Sequence, residues 1–387
     1  MKNTNAIACS LALLCAAGMT AAGTSALLPA PAPVSALSVT DGKTVTTEHF
    51  VFAVYEDHAA LSKCLKVSGM EIPAEISGVP VTEIADQAFE DLSDLETVVI
   101  PPNIKRIGDF AFNRCNCLES VTFSEGLTTL GKCAFANCAS LKTVHLPDSL
   151  TTIGDYVFYC CWLLEDINIP EHVTAFGERV FNSNVSLTSF TVPETLTSVK
   201  PWMFASCKCL ERADLQDGIQ SIDPFAFLGC SALRHVTIPE STKTISEHAF
   251  AECTALRFLT VPAGVTEIDP TAFDRIETLT LRAAKGSAAE AFANEHGIPC
   301  CIIEPDQLTG DLNNDKKVDS TDAQHALIAA TESLAGNDSG LSEIQLHAAD
   351  INGSGTADVS DAQYILIYYT EKELSGNDFT WDDAVNR

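Results

Sequence analysis

Apolar residues along this chain recur in a frame of 23 residues, marked by Phe89, Phe112, Phe135, Phe158, Phe181, Phe204, Phe227, Phe250 and Phe273. Ile107-Gly108-Asp109-Phe110-Ala111-Phe112 is followed by Cys115, Leu118, Val121 and Phe123, and then Leu130-Gly131, Phe135, Cys138, Leu141, Val144, Leu146 and Pro147 restart the cycle. A short fixed period is the mark of a solenoid, because one repeat cannot bury its apolar face alone and stacked repeats can. Leu, Val and Ile at the sixth, ninth and eleventh positions after each Phe alternate with polar residues, which predicts one short strand per coil, stacked in parallel about 4.8 Å apart. The Phe is expected to fill the wall between coils, and Ile153, Ile222 and Ile245 to close the core on the far side. Pro101, Pro147, Pro170, Pro193, Pro239 and Pro262 follow the strand, and without an N–H they end its ladder. From Ala284 to Pro299 the period breaks into an alanine-rich run. That run predicts a helical cap, needed because the last coil would otherwise expose its apolar face.

The Ala-Phe, Cys, Leu, Ile-Pro order of this frame resembles the BspA-like class of leucine-rich repeats, over about residues 72–303. The resemblance implies an α/β leucine-rich-repeat solenoid with a parallel strand ladder and 23-residue coils, preceded by an N-terminal cap over residues 39–71.

Fifteen cysteines invite a disulfide reading, but their spacing points elsewhere. Cys115, Cys138, Cys161, Cys207, Cys230 and Cys253 share one column, three residues after the repeat Phe, and Asn184 stands in the same column. Cysteine exchanging with asparagine predicts a buried group that hydrogen-bonds loop backbone. Disulfides between successive coils stay open, since the coil spacing falls inside the permitted Cα separation. No paired Cys-x-x-Cys sets occur with histidines at zinc spacing.

Eight residues after each Phe, the strand face is expected to carry Thr97, Ser120, Thr143, Asp166, Ser189, Arg212, His235 and Phe258. Ten residues after, it carries Val99, Thr122, His145, Asn168, Thr191, Asp214, Thr237 and Thr260. Asp166 and Asp214, roughly 10 Å apart by strand spacing, are too distant for a retaining glycosidase pair. His145 and His235 lie four coils apart and read as solvated surface residues. The face suits an unidentified protein or polysaccharide ligand that no motif names.

After Glu304-Pro305 a different duplication begins. Its first copy is the twelve-residue segment starting at Asp311, and the second starts 39 residues on at Asp350. Oxygen-bearing side chains fall at positions 1, 3, 5, 9 and 12, with a backbone carbonyl at 7, the order in which an EF-hand loop encloses calcium. The candidate ligands are Asp311, Asn313, Asp315, Lys317 (carbonyl), Asp319 and Asp322, then Asp350, Asn352, Ser354, Thr356 (carbonyl), Asp358 and Asp361. Asp322 and Asp361 are each expected to open a helix through Ala-Gln. Two such loop–helix units without a strong incoming helix resemble a type I dockerin of cellulosome-type systems, over about residues 307–376.

That resemblance implies a small all-α calcium-binding module that takes two Ca2+ ions and docks a cohesin domain of a scaffoldin. Carried over by position, the docking residues are Ser320, Thr321, Leu327 and Ile328 in copy one, and Val359, Ser360, Leu366 and Ile367 in copy two. At least one residue of each Leu-Ile pair is expected in the module's own core. Copy one departs from the pattern with Lys316 at position 6, where glycine normally takes the sharp turn. Copy two keeps Gly355 but has Ser354 and only three carboxylates, which predicts weaker ion binding.

The net charge of −29 argues against nucleic acid and anionic membranes, since neither polyanion gains from an acidic surface. Lys2, the apolar run Ala6–Ala17 and the small residues after it read as a signal peptide over residues 1–26, too short to span a bilayer. Residues 27–38, with their Pro-Ala-Pro stretch, read as a linker, and 377–387 as a tail. Together these features point to a secreted, extracellular, non-catalytic component of a cell-surface assembly, without membrane insertion. The competing readings are a carbohydrate-active enzyme component of polysaccharide degradation, against which nearly all residues belong to repeats, and a surface adhesin or inhibitor-like binder.

Overall fold

The computed structural model describes residues 43–67, 71–303, 310–313, 317–334, 345, 348–349, 351, 357–375 and 384. The expected leader and linker, and the tail apart from Ala384, lie outside them. The chain divides into two compact units: one runs to Leu210 without Phe190–Val192, and the other holds Phe190–Val192 and Glu211 onward.

In the first unit, strands β1 (Lys43–Thr46), β2 (Phe50–Val54) and β3 (Ala59–Cys64) form an antiparallel meander. After the short β4 (Glu75–Ile76), β5 (Val79–Ile84) pairs in parallel with β3. From β5 on, each coil adds a two-residue strand, Arg106–Ile107, Thr129–Leu130, Thr152–Ile153 and Ala175–Phe176, so Ile107, Leu130 and Ile153 line the far side of the core. A second parallel sheet is built from Thr97–Ile100, Ser120–Phe123, Thr143–His145 and Asp166–Asn168, in register by one whole repeat. Exposure alternates along Thr97–Ile100, with Val98 and Ile100 inside and Thr97 and Val99 out. The period of two therefore sorts apolar from polar as the sequence predicts.

Between the sheets stand the repeat phenylalanines, Phe89 through Phe204, all fully buried and stacked with centroids 4.6 to 6.1 Å apart. Burial of such a ring stabilises by about 1.5–3 kcal/mol, and ring pairing adds roughly 0.5–1.5 kcal/mol. The backbone around each ring also ties coil to coil: Phe110, Phe112 and Arg114 donate their N–H groups to the carbonyls of Lys132, Ala134 and Ala136 at 2.8, 2.8 and 2.9 Å. This pairing needs left-handed backbone at Phe110 (φ 58°) and Arg114 (φ 63°), a conformation that costs about 1–2 kcal/mol per non-glycine residue and that the inter-coil bonds offset. Gly131 lies so close to the preceding coil that a Cβ would sit 2.7 Å from the carbonyl carbon of Gly108.

Among the described residues no cysteine is joined in a disulfide, which closes the disulfide alternative for them. The thiols of Cys115, Cys138, Cys161 and Cys207 donate to the carbonyls of Phe89, Phe112, Phe135 and Phe181 at 3.1 to 3.2 Å, one coil back. Asn184 is not their equivalent. Its Oδ1 accepts from the Cys161 N–H at 2.9 Å, and its Nδ2 is buried with no partner among the described residues. The shared column thus holds two bonding modes, because a carboxamide offers an acceptor where a thiol mainly donates.

In the second unit, Arg212–Leu215 pairs in parallel with His235–Thr237, and Phe258–Val261 with Thr280–Ala284. Phe227, Phe250 and Phe273 continue the same stacked pattern at 5.2 and 5.8 Å. Helix α1 (Ala288–His296) interrupts the period as expected, capped by Ser287 at its start and by Gly297 (φ 67°) at its end. Phe292 of α1 meets Phe273 edge-on at 5.8 Å, closing the ring column, and Cys300–Ile303 adds a last parallel strand beside Thr280–Ala284. Beyond it lie α2 (Ser320–Leu334) and α3 (Val359–Tyr368), the latter continuing as a π-helix over Tyr369–Leu374.

Candidate metal and docking site

Each twelve-residue loop ends on a fully buried aspartate that gathers the loop backbone. Asp322 Oδ1 accepts from the N–H groups of Leu312 (2.8 Å) and Asn313 (3.2 Å), and its Oδ2 from that of Asp319 (2.9 Å). Asp361 repeats this: Oδ1 accepts from the Ile351 N–H at 2.9 Å and Oδ2 from the Asp358 N–H at 2.8 Å. The helices begin earlier than the sequence suggests, at Ser320 and Val359, so Asp322 and Asp361 lie inside the first turn instead of at the helix mouth. The reason is a capping box in which Asp358 accepts from the Ser360 N–H while Asp361 reaches back to the Asp358 N–H. Asp319 behaves likewise, accepting from the Thr321 N–H at 2.7 Å. Hydrogen bonds from the Thr321 backbone and hydroxyl hold the Asp319 carboxyl below its ordinary 3.8.

Of the other expected ligands, Asp311 is fully buried, Asn313 and Lys317 are exposed, and Asp358 is half-buried. Asp315, Asp350, Asn352, Ser354 and Thr356 lie outside the described residues. Among the described residues no three His, Cys, Asp or Glu side chains gather as a metal-binding group. The donor set present still suits a hard cation. It is all oxygen, it includes three buried carboxylates, and a carboxylate that accepts two or three N–H bonds retains lone pairs.

The module's own core is Leu312, Ala323, Ala326, Ala349, Ile351, Ala357, Ala362 and Ile365, with Val318 and Tyr364 packed against it. Ala326 and Ile365, one position before the Leu-Ile pairs, point inward. Leu327 is 46% exposed and Ile328 58%, so the expectation that one of them enters the core fails in copy one. In copy two Leu366 is 48% exposed and Ile367 half-buried. The helical period explains this: Asp322, Ala323, Ala326, Ala329 and Ala330 form the buried stripe, leaving 327 and 328 on the flank. Ser320, Thr321 and Val359 are exposed and Ser360 half-buried, so the docking candidates of each copy share the outer side of a helix start and its first turns.

On the strand faces, Thr97, Ser120, Thr143, Asp166, Thr122, His145 and Asn168 are exposed in the first unit. In the second, the Arg212 Nε donates to Asp214 Oδ2 at 2.7 Å, and the Thr237 hydroxyl stands between Asp214 (3.2 Å) and the His235 ring (3.3 Å). Sequence reasoning missed this network, whose only signal was the charged residues replacing threonine at the strand positions.

Parallel-strand coils of 23 residues, followed by two aspartate-gathered loop–helix units, define a leucine-rich-repeat protein with an appended dockerin-type module. The chain belongs to the BspA type leucine rich repeat family, whose model matches residues 82–211 and 151–280, together just over half of its length. A dockerin type I domain matches residues 309–368. Both are non-catalytic domain types, type I dockerins bind calcium and partner cohesins, and proteins bearing these domains are typically extracellular or cell-surface. No match is found among curated proteins. Similar solved structures include the T. pallidum leucine rich repeat protein TpLRR, at 24% identity and TM-score 0.45, covering 55% of this chain and 91% of that one. A leucine rich cell surface protein from Faecalibacterium prausnitzii is 20% identical at TM-score 0.33, covering 68% and 95%. A leucine-rich repeat protein from Bacteroides capillosus is 32% identical at TM-score 0.27, covering 28% and 84%. Among the described residues no helix is long and apolar enough to cross a membrane.

Proposed function

We propose that this protein is a secreted, non-catalytic component of a cellulosome-type assembly, anchored by its dockerin to a cohesin while the solenoid's strand face holds a protein or polysaccharide ligand. Its organisation would be a leader over 1–26, a linker over 27–38, a cap over 39–71, the solenoid with its closing helix over 72–303, the dockerin over 307–376 and a tail over 377–387. The observation that carries the reading is the pair of fully buried aspartates, Asp322 and Asp361, each clasping its own loop's backbone. Two Ca2+ ions would be held by Asp311, Asn313, Asp315, the Lys317 carbonyl, Asp319 and Asp322, and by Asp350, Asn352, Ser354, the Thr356 carbonyl, Asp358 and Asp361. Bound there, calcium supplies positive charge that offsets the burial of these carboxylates. With the loops fixed, Ser320, Thr321, Leu327 and Ile328, or Val359, Ser360, Leu366 and Ile367, form the cohesin-facing surfaces. Exposed Leu and Ile on so small a module suit an interface.

Calorimetry of the full chain against a cohesin panel, with calcium and with chelator, tests this. Binding that requires calcium is expected. Calcium-independent binding, or none to any cohesin, would overturn the anchoring role.

A further inference from the structure

The strand faces of the two units differ in charge. Seven residues after its Phe, each coil places a side chain at the rim of the face, and in the first unit Glu96, Lys142 and Glu165 there are exposed and Glu119 half-buried. In the second unit the same position holds the exposed Glu211 and then, after Phe227 and Phe250, Arg234 and Arg257, both exposed and in successive coils. Among the described residues neither guanidinium has a hydrogen-bond or ion-pair partner. Beside them Arg212 is committed to Asp214 with its side chain 19% exposed, and the Arg282 guanidinium lies 4.7 Å from the centre of the half-buried Phe258 ring. In the second unit no lysine shares these face positions.

A guanidinium is a planar fork that fits a carboxylate with two parallel hydrogen bonds, and it is less strongly hydrated than an ammonium. Protein interfaces are enriched in arginine and aromatic residues and depleted in lysine, the composition seen on this face. A chain of net charge −29 repels anions at long range, so two uncommitted arginines in successive coils mark a local, contact-range preference.

We propose that the strand face of the second unit docks an acidic polypeptide segment, its carboxylates taken by Arg234 and Arg257 and an apolar side chain set against Phe258. The proposal rests on the reading of the strand face as the ligand surface and names the partner's chemistry.

The test uses the full chain and a fluorescein-labelled oligoglutamate peptide carrying one phenylalanine, followed by fluorescence polarisation at low and high salt. The wild type is expected to bind, more weakly as salt rises. The double variant Arg234→Glu/Arg257→Glu should bind roughly tenfold or more weakly, while Lys142→Glu stays within about twofold. Both arginines are exposed, so unchanged circular dichroism is expected and shows the variant folded. Peptide binding unaffected by the double variant, no binding by the wild type, or stronger binding of polygalacturonate than of the peptide overturns the acidic-peptide partner. Thr260→Arg separates the underlying reading: a neutral glycan bound by the wild type and lost in this variant overturns only the acidic partner. Ligand binding indifferent to Thr260→Arg overturns the strand face itself as the ligand surface.

Discussion

The coils and the dockerin module solve burial in opposite ways. A coil hides a phenyl ring against its neighbours and satisfies the nearby carbonyl with a thiol, so its interior is almost wholly apolar. The module has a core made largely of alanine, and it hides carboxylates instead. Small apolar residues remove little surface from water, so a module of this size depends on its buried polar framework. The difference teaches that one part is stabilised by area and the other by satisfied charge, and the two should fail under different insults.

The largest effect is expected from Asp322→Ala, which strips the acceptor from three backbone N–H groups and should cost on the order of 5 kcal/mol, enough to unfold the module. Hydrogen exchange should then show residues 310–334 unprotected while the coils remain protected. Phe135→Ala tests the other side and should cost about 3–5 kcal/mol of solenoid stability in a denaturant titration, with calcium affinity unchanged. Gly131→Ala should cost roughly 1–3 kcal/mol, because its Cβ meets preceding-coil backbone that must move. Cys138→Val, which removes the donor to the Phe112 carbonyl, should cost about 1 kcal/mol in the same titration.

Mild alkali should produce the smallest change. Burial pushes the thiols of Cys115 and Cys133 up from the ordinary 9.0 to about 12, so the unfolded chain releases these protons first. Their contribution is therefore complete below pH 9.0 and is lost as pH rises toward 12. Thermal melts followed from pH 8 upward should show the coils weakening first, since the module contains no cysteine. Equal weakening of both parts would erase the contrast.

The ring column, the inward positions and the closing helix were legible because each is written many times or ends an unbroken period. The Cys115 column was legible as a backbone-bonding site, yet not Asn184's reversed role, since one letter does not say whether a side chain donates or accepts. In the module, the loop aspartates are visible from spacing alone. The helix start is not, because a capping box and a helix mouth share the same Asp-x-x-Asp letters. Leu327 and Ile328 misled for a related reason: apolar character suggested burial, whereas a one-position rotation gives the inner stripe to Ala326. The Arg212–Asp214–Thr237 network links residues a coil apart, a proximity that only the stacking register supplies.

The bond from the Cys138 thiol back to the Phe112 carbonyl has a bearing on how such arrays change over generations. With rings, thiols and strands all phased to one spacing, an insertion or deletion of a single residue would throw three ladders out of step at once. Loss or duplication of a whole 23-residue block would leave every ladder aligned, so the solenoid's length is free to change only in whole coils.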